Sequence, residues 1–263
     1  MTLPTVRTPL QVTFSVWKAL LLREALGRLF SARGAWFWLF AEPVFHMAYM
    51  LVIFSVVRVR HVGGIETPIW LMVGLVAFFM FRQTGTQGSN GISANRALFT
   101  YRQVKPVDTV LVRSALEAVL LLCVMVITMT GLGLLGLDAL PANPLIVLQA
   151  FFALWLLGLG YGLVISVVSE LFPELDRILA FAMMPLYLIS GVVFPLSAVP
   201  QPYRDWVMLN PVAHGIEATR LGFSPYYHAV PELSLPYLFA CVLVMLLTGL
   251  VLHRRFAQRL VAA

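Results

Sequence analysis

Glu42, His46 and Tyr49 are spaced by four and three residues, with Trp38 a turn earlier, so on a helix they share one face. A carboxylate and an imidazole on adjacent turns can exchange a proton, which would suit acid–base chemistry on a bound lipid-linked sugar. The same residues could instead wall a polar path, extended by Arg58 and by Arg60, five turns after Glu42. Arg82 sits in the next apolar segment at a matching depth if the two segments run antiparallel. There it would pair with Glu42 or snorkel to the surface; alternatively, Arg82 and His46 would meet an acidic ligand. Trp36, Phe37, Trp38 and Phe40 open the first segment as an interfacial aromatic belt, and their ring faces would also stack on sugar rings.

Other chemistry is not encoded. There is no Walker A loop, HExxH, GxSxG or paired Cys-x-x-Cys, so ATP hydrolysis and the familiar hydrolase reactions are excluded for this chain, and no metal site is expected. Gly131 to Gly136 reads GLGLLG, the dinucleotide fingerprint, but it lies late in an apolar segment with no strand before it and is a chance match. Gly158 and Gly162 have the spacing of a close helix contact. Cys123 and Cys241 lie inside apolar runs as small hydrophobes and imply no disulfide framework.

The elements that must position these groups are membrane helices. Of 263 residues, 60% are hydrophobic and 11% charged, with a mean hydropathy of +0.88, against about 45–50% and about 25% in soluble domains. Apolar runs near the length that crosses a bilayer predict an all-helical protein with crossings near 36–57, 67–87, 115–137, 144–168, 175–193 and 236–253, in a single domain over 1–263. With the N-terminus inside, only Arg58, Arg60, Arg204 and Arg220 of the 18 Lys and Arg fall outside, so both termini are expected in the cytoplasm. The net charge of +6 is dispersed over segment ends, which excludes a nucleic-acid face. No cleaved signal is expected at the N-terminus.

Three non-spanning segments carry information. Residues 1–33 place Gln11, Ser15 and Lys18 opposite Phe14, Trp17 and Leu21, as in an interfacial helix; Arg23, Glu24 and Arg28 rotate to another side, which implies a bend near residue 22 or a protein contact. The loop 88–107 reads as a short helix capped by Ser93 and stopped by Pro106, carrying Arg96, Leu98, Phe99, Tyr101, Arg102 and Lys105. It is either a basic loop that sets topology or a docking helix for a cytoplasmic partner. The short inner loop with Glu170, Glu174, Asp176 and Arg177 would join it. Residues 193–235 are apolar yet broken by Pro195, Pro200, Pro211 and others, which predicts short helices dipping into the outer leaflet.

This order of parts resembles the permease subunits of ABC-2 transporters. The specific stretch is Ser190-Gly191-Val192-Val193-Phe194-Pro195, then Val199-Pro200 and Leu209-Asn210-Pro211, which is similar to that family's S-G-x-x-F-P and N-P signature. His214, Gly215, Glu217 and Arg220 continue in the style of its capsular polysaccharide export branch. The resemblance implies a homodimer bound to two copies of a separate ATPase that holds the ATP and Mg, this chain having no cofactor. It further implies export of a lipid-linked polysaccharide through the bacterial inner membrane to a periplasmic adaptor or co-polymerase. Docking would fall on residues 96–105 and 170–177, with an exit hairpin over 193–235. O-antigen, teichoic acid and lipid or drug export are the rivals within the family. A membrane-embedded sugar transferase is the rival from another class, and a passive channel is disfavoured for want of a second polar stripe.

Overall fold

The computed structural model describes residues 8–30, 33–56 and 60–262; Arg58 lies outside them. The helices are α1 (Pro9–Phe30), α2 (Ala35–Val56), α3 (Thr67–Ser89), α4 (Pro106–Leu134), α5 (Pro144–Leu171), α6 (Leu175–Ile189), α7 (Tyr203–Val207), α8 (Pro211–Phe223), α9 (Leu235–Arg255) and α10 (Ala257–Ala262). A 3₁₀ helix, Ser93–Thr100, joins α3 to α4. Among the described residues five helices, α2, α3, α4, α5 and α9, are long and apolar enough to cross a membrane. The segment expected to cross at 175–193 contains α6, which has 15 residues with Pro185 inside it, about 22 Å of rise.

The helix starts follow local chemistry. Asn143, Asn210 and Ser234 accept hydrogen bonds from the backbone N–H of Ile146, Val212 and Tyr237, each with proline in the first turn that follows. The last glycine of GLGLLG ends α4: Gly136 has φ +83°, with Leu137 N–H bonded to Leu132 O and Gly136 N–H to Gly133 O, a Schellman closure. The all-helical expectation needs one correction. His61–Val62 (β1) and Ile65–Glu66 (β2) pair antiparallel around Gly63 and Gly64, whose φ values of +58° and +89° suit a tight hairpin turn.

α3 is the axis of the bundle, buried from Ile69 to Phe81 and packed on α2, α4, α5 and α8. Gly158 and Gly162 bring α5 onto it: a Cβ at Gly158 would stand 2.6 Å from Phe81 O, and one at Gly162 3.1 Å from Gly88 Cα. α8 runs antiparallel to the first half of α5, Gly215 lying on Leu154 and Gly222 on Val147. α2, α6 and α9 stay at the periphery, with Phe45, Tyr49, Phe181, Met184, Leu243 and Leu247 exposed.

Candidate functional site

The expected polar face of α2 is only partly assembled. Ala41, Pro43 and Met47 turn inward, which leaves Glu42 and Tyr49 exposed and His46 half-buried. Glu42 and Arg82 are both exposed and make no ion pair with each other. Arg60 does not extend the face either: α2 has ended, and Arg60 precedes β1, its carbonyl accepting from Thr67 N–H. Trp36 and Trp38 are exposed. What the structure adds is Tyr187 of α6, whose ring meets those of His46 and Phe78 edge-on. His46 Nε2 and Tyr187 Oη are both buried with no hydrogen-bond partner. Sequence spacing could not show a contact between α2 and α6.

At the basic end of the bundle, the loop 88–107 differs from expectation. Ser93 is the first residue of the 3₁₀ helix rather than its cap, and the helix ends at Thr100. Tyr101–Val104 then turns, and Lys105, extended ahead of Pro106, starts α4 with its N–H bonded to Asp108 Oδ2 at 3.0 Å. Phe99 is not on the surface. It is 6% exposed in a core of Ile92, Val110, Leu159, Leu163, Val167 and Leu260, and this anchoring fixes the tight 3₁₀ register. Leu98 is half-buried; Arg96, Tyr101, Arg102 and Lys105 are exposed. Arg96 bonds Glu170 at 2.6 Å, so the two loops expected to dock one partner are joined, with Glu174, Asp176 and Arg177 exposed beside them. Ser169 Oγ donates to Asp176.

α1 is one continuous helix without the bend, and its charged side is a protein contact. Trp17 donates to Asp108, Glu24 bonds Arg113 at 2.7 Å, and Arg28 pairs with Glu117, so α1 lies along the start of α4 in parallel. Arg28 also bonds Gln87 of α3 at 2.9 Å, and Arg23 bonds Asn95 in the 3₁₀ helix. The i, i+4 spacings Glu24–Arg28 and Arg113–Glu117 were the available signal, on two helices that only the fold brings together. Outside this contact Leu10, Phe14, Leu22, Leu26 and Phe30 remain exposed.

The signature motif closes on itself. Asn210 Nδ2 donates to Ser190 Oγ at 2.8 Å, and Ser190 donates to Leu186 O, so the end of α6 and the start of α8 are one junction. Gly191 has φ +76° and lies against Leu196, where a side chain would collide. Phe194 is exposed, Pro195 leads the short turn Leu196–Ala198, and Pro200 O receives Arg204 N–H. Pro211 opens α8.

Arg220, expected on the outer side in the segment 193–235, is fully buried. Its guanidinium stacks 3.7 Å from the Trp70 ring centroid and donates to Gly191 O at 2.8 Å and Val192 O at 3.2 Å. Glu217 lies 3.4 Å from it and accepts from Tyr227 Oη at 2.7 Å and Val230 N–H at 3.4 Å. Gly74 of α3 leaves the room, since a Cβ there would strike the guanidinium. His214 is held as the Nε2–H tautomer: Nδ1 accepts from Ser234 N–H at 3.0 Å, so Nε2 donates to Met208 O at 2.7 Å.

A family model described as "ABC-2 type transporter" matches residues 15–224. The polysialic acid transport protein KpsM of Escherichia coli is 35% identical over 237 residues, 90% of this chain and 92% of that protein. The capsule polysaccharide export inner-membrane protein CtrC of Neisseria meningitidis is 30% identical, covering 91% and 90%. BexB of Haemophilus influenzae, which carries the same description, is 27% identical, covering 97% and 96%.

Proposed function

On the premise that this chain belongs to the ABC-2 type transporter family, we propose that it is the permease subunit of an ATP-driven exporter carrying lipid-linked capsular polysaccharide across the bacterial inner membrane. The observation that carries this reading is likeness along nearly the whole chain to proteins named for polysialic acid transport and capsule polysaccharide export.

In this reading α6, with the junction after it, makes a sixth crossing, both termini face the cytoplasm, and α7 and α8 form a re-entrant hairpin on the periplasmic side. The course of α8 along only the first half of α5 supports that placement. The chain acts as a homodimer with two copies of a separate ATPase, which binds ATP and Mg; this chain contributes no catalytic residue. The Arg96–Glu170 junction, with Leu98, Tyr101, Glu174, Asp176 and Arg177, receives the ATPase. The Trp36, Trp38, Glu42, His46, Tyr49 and Arg82 side of α2 and α3, with Tyr187 and the outer Arg58 and Arg60, lines the polymer's route to a periplasmic adaptor.

Deleting the gene in its host and following capsule polymer tests the reading. Polymer should accumulate inside and return to the surface with the wild-type chain. Arg96→Glu should insert normally but fail to recover its ATPase in a pull-down. Unchanged surface capsule after deletion would turn the assignment to O-antigen or another ABC-2 cargo. Turnover of lipid-linked sugar by the purified chain alone would turn it to a transferase.

A further inference from the structure

A cavity of about 580 Å³ opens at the basic end between the loop after the 3₁₀ helix and the end of α9. Its rim carries Arg102, Lys105 and Arg254, all exposed, and none of the three is within ion-pair distance of a carboxylate among the described residues. The nearest acid in sequence, Asp108, is turned away, taken by Trp17 and by the backbone N–H of Lys105. The floor and walls are apolar: Phe99, Val104, Val107, Leu250 and Val261. His253 at the back is satisfied by Ser166 at 3.0 Å.

The cavity lies between the start of α4 and the basic end of α9, two helices long and apolar enough to cross a membrane. One molecule type matches all of this: a negative group at the rim and a hydrocarbon chain against Val107 and Leu250, side by side at the bilayer surface. We propose that this cavity binds an anionic phospholipid, its phosphate held by Arg102, Lys105 and Arg254. The lipid would fasten the loop carrying the 3₁₀ helix to the end of α9, setting that loop's position by the charge of the surrounding leaflet. The site is separate from the Arg96–Glu170 junction and does not depend on the identity of the cargo.

The purified chain, without ATPase or polymer, is delipidated and titrated with phosphatidylglycerol against phosphatidylcholine of the same acyl chains, and retained lipid is counted by native mass spectrometry. Each of Arg102→Gln, Lys105→Gln and Arg254→Gln should lower the preference for phosphatidylglycerol about fivefold, about 1 kcal/mol per cation. The triple variant should abolish it, while Lys105→Arg and the off-site Arg177→Gln keep it. Preference that survives the triple change, or falls equally with Arg177→Gln, overturns the proposal. So does equal competition by glycerol phosphate, which would mark a plain anion site. Because the permease stands alone in this assay, its outcome is independent of the export reading.

Discussion

Two sets of ionisable groups lie within the bundle, and they are built on opposite plans. Around α8, Glu217 and Arg220 have essentially no exposure, and nearly every polar atom they carry is taken by Gly191, Val192, Tyr227 and Val230, with Trp70 under the guanidinium. Along α2 and α3, Glu42 and Arg82 are exposed and, among the described residues, unpaired, and His46 and Tyr187 each bury a polar atom with no partner there. Removing charge from water is costly unless partners replace the water. The first set has its partners within the chain and so acts as a rivet for the hairpin. The second leaves Glu42 and Arg82 exposed and two buried polar atoms without an internal partner, an arrangement that a route for a polar cargo would use.

The comparison breaks most sharply at Arg220. Arg220→Met strands Glu217 without its cation and frees two carbonyls, and removing one partner of a buried pair costs about 3–5 kcal/mol. The thermal midpoint of the detergent-solubilised chain, followed by tryptophan fluorescence, should fall by many degrees. Pairing it with Glu217→Leu should recover part of the loss, since the uncompensated carboxylate is then gone. A normal midpoint for the single variant would mean that the pair is not a rivet.

The clamp between α1 and α4 is intermediate, partnered within the chain but not sealed: Arg28 and Glu117 keep side-chain exposures of 13% and 9%. Glu117→Ala should cost about 1.5–3 kcal/mol, the range for a charge-assisted hydrogen bond. A double-mutant cycle with Arg28→Ala should show coupling of about 1 kcal/mol or more. Zero coupling would place α1 on α4 by its apolar contacts alone.

Much of the fold was legible because it depends on local signals. Five apolar runs, the Asn-Pro and Ser-Leu-Pro helix starts, and the Ser190 to Pro211 motif all stand in consecutive residues. What was not legible depends on distance in the chain. Phe99 looked like a docking side chain because it sits among exposed cations, and only the approach of α5 and Leu260 makes it core. Arg220 was counted only as a cation of the outer segment, with nothing nearby in sequence to show its burial; Gly74, about 146 positions earlier, is what makes room for it. The Glu42–Arg82 pair failed for the converse reason. The ring contacts of His46 with Phe79 and of Phe54 with Trp70 set α2 antiparallel to α3, so Glu42 and Arg82 do lie at one level, but both side chains stay exposed and do not pair.

A smaller effect lies at the outer loop, where Arg204 bonds Glu232 at 2.8 Å. Burial is the largest single influence on Glu232 and opposes its ionisation, but the hydrogen bond from Arg204, that from its own backbone N–H, the Arg204 charge and the Gln201 amide together outweigh it and hold the carboxyl below its ordinary value. A lowered carboxyl adds stability above the unfolded value, about 4.3, and that stability disappears as pH falls through the folded value. The thermal midpoint should therefore hold steady from pH 8 to about 5 and dip slightly below about 4, by an amount worth no more than about 1 kcal/mol for so open a pair. Glu232→Gln should remove that part of the dip.

The smallest effect on stability belongs to the open set, and it is the one that decides whether openness has a purpose. Arg82→Ala removes an exposed cation that has no ion-pair partner among the described residues, so the folded protein should change by no more than about 0.5 kcal/mol. His46→Ala should cost more, because the ring packs on Phe79 and Tyr187, so His46→Gln, which keeps a polar group at that depth, is the cleaner partner. If the open face serves the cargo, Arg82→Ala together with His46→Gln should leave the midpoint near wild type while surface capsule falls about tenfold, the result of about 1.4 kcal/mol added to the transport barrier. Normal export from this double variant would reduce the open face to a lipid-facing or protomer-facing surface, and the contrast with the Arg220 rivet would then concern packing alone.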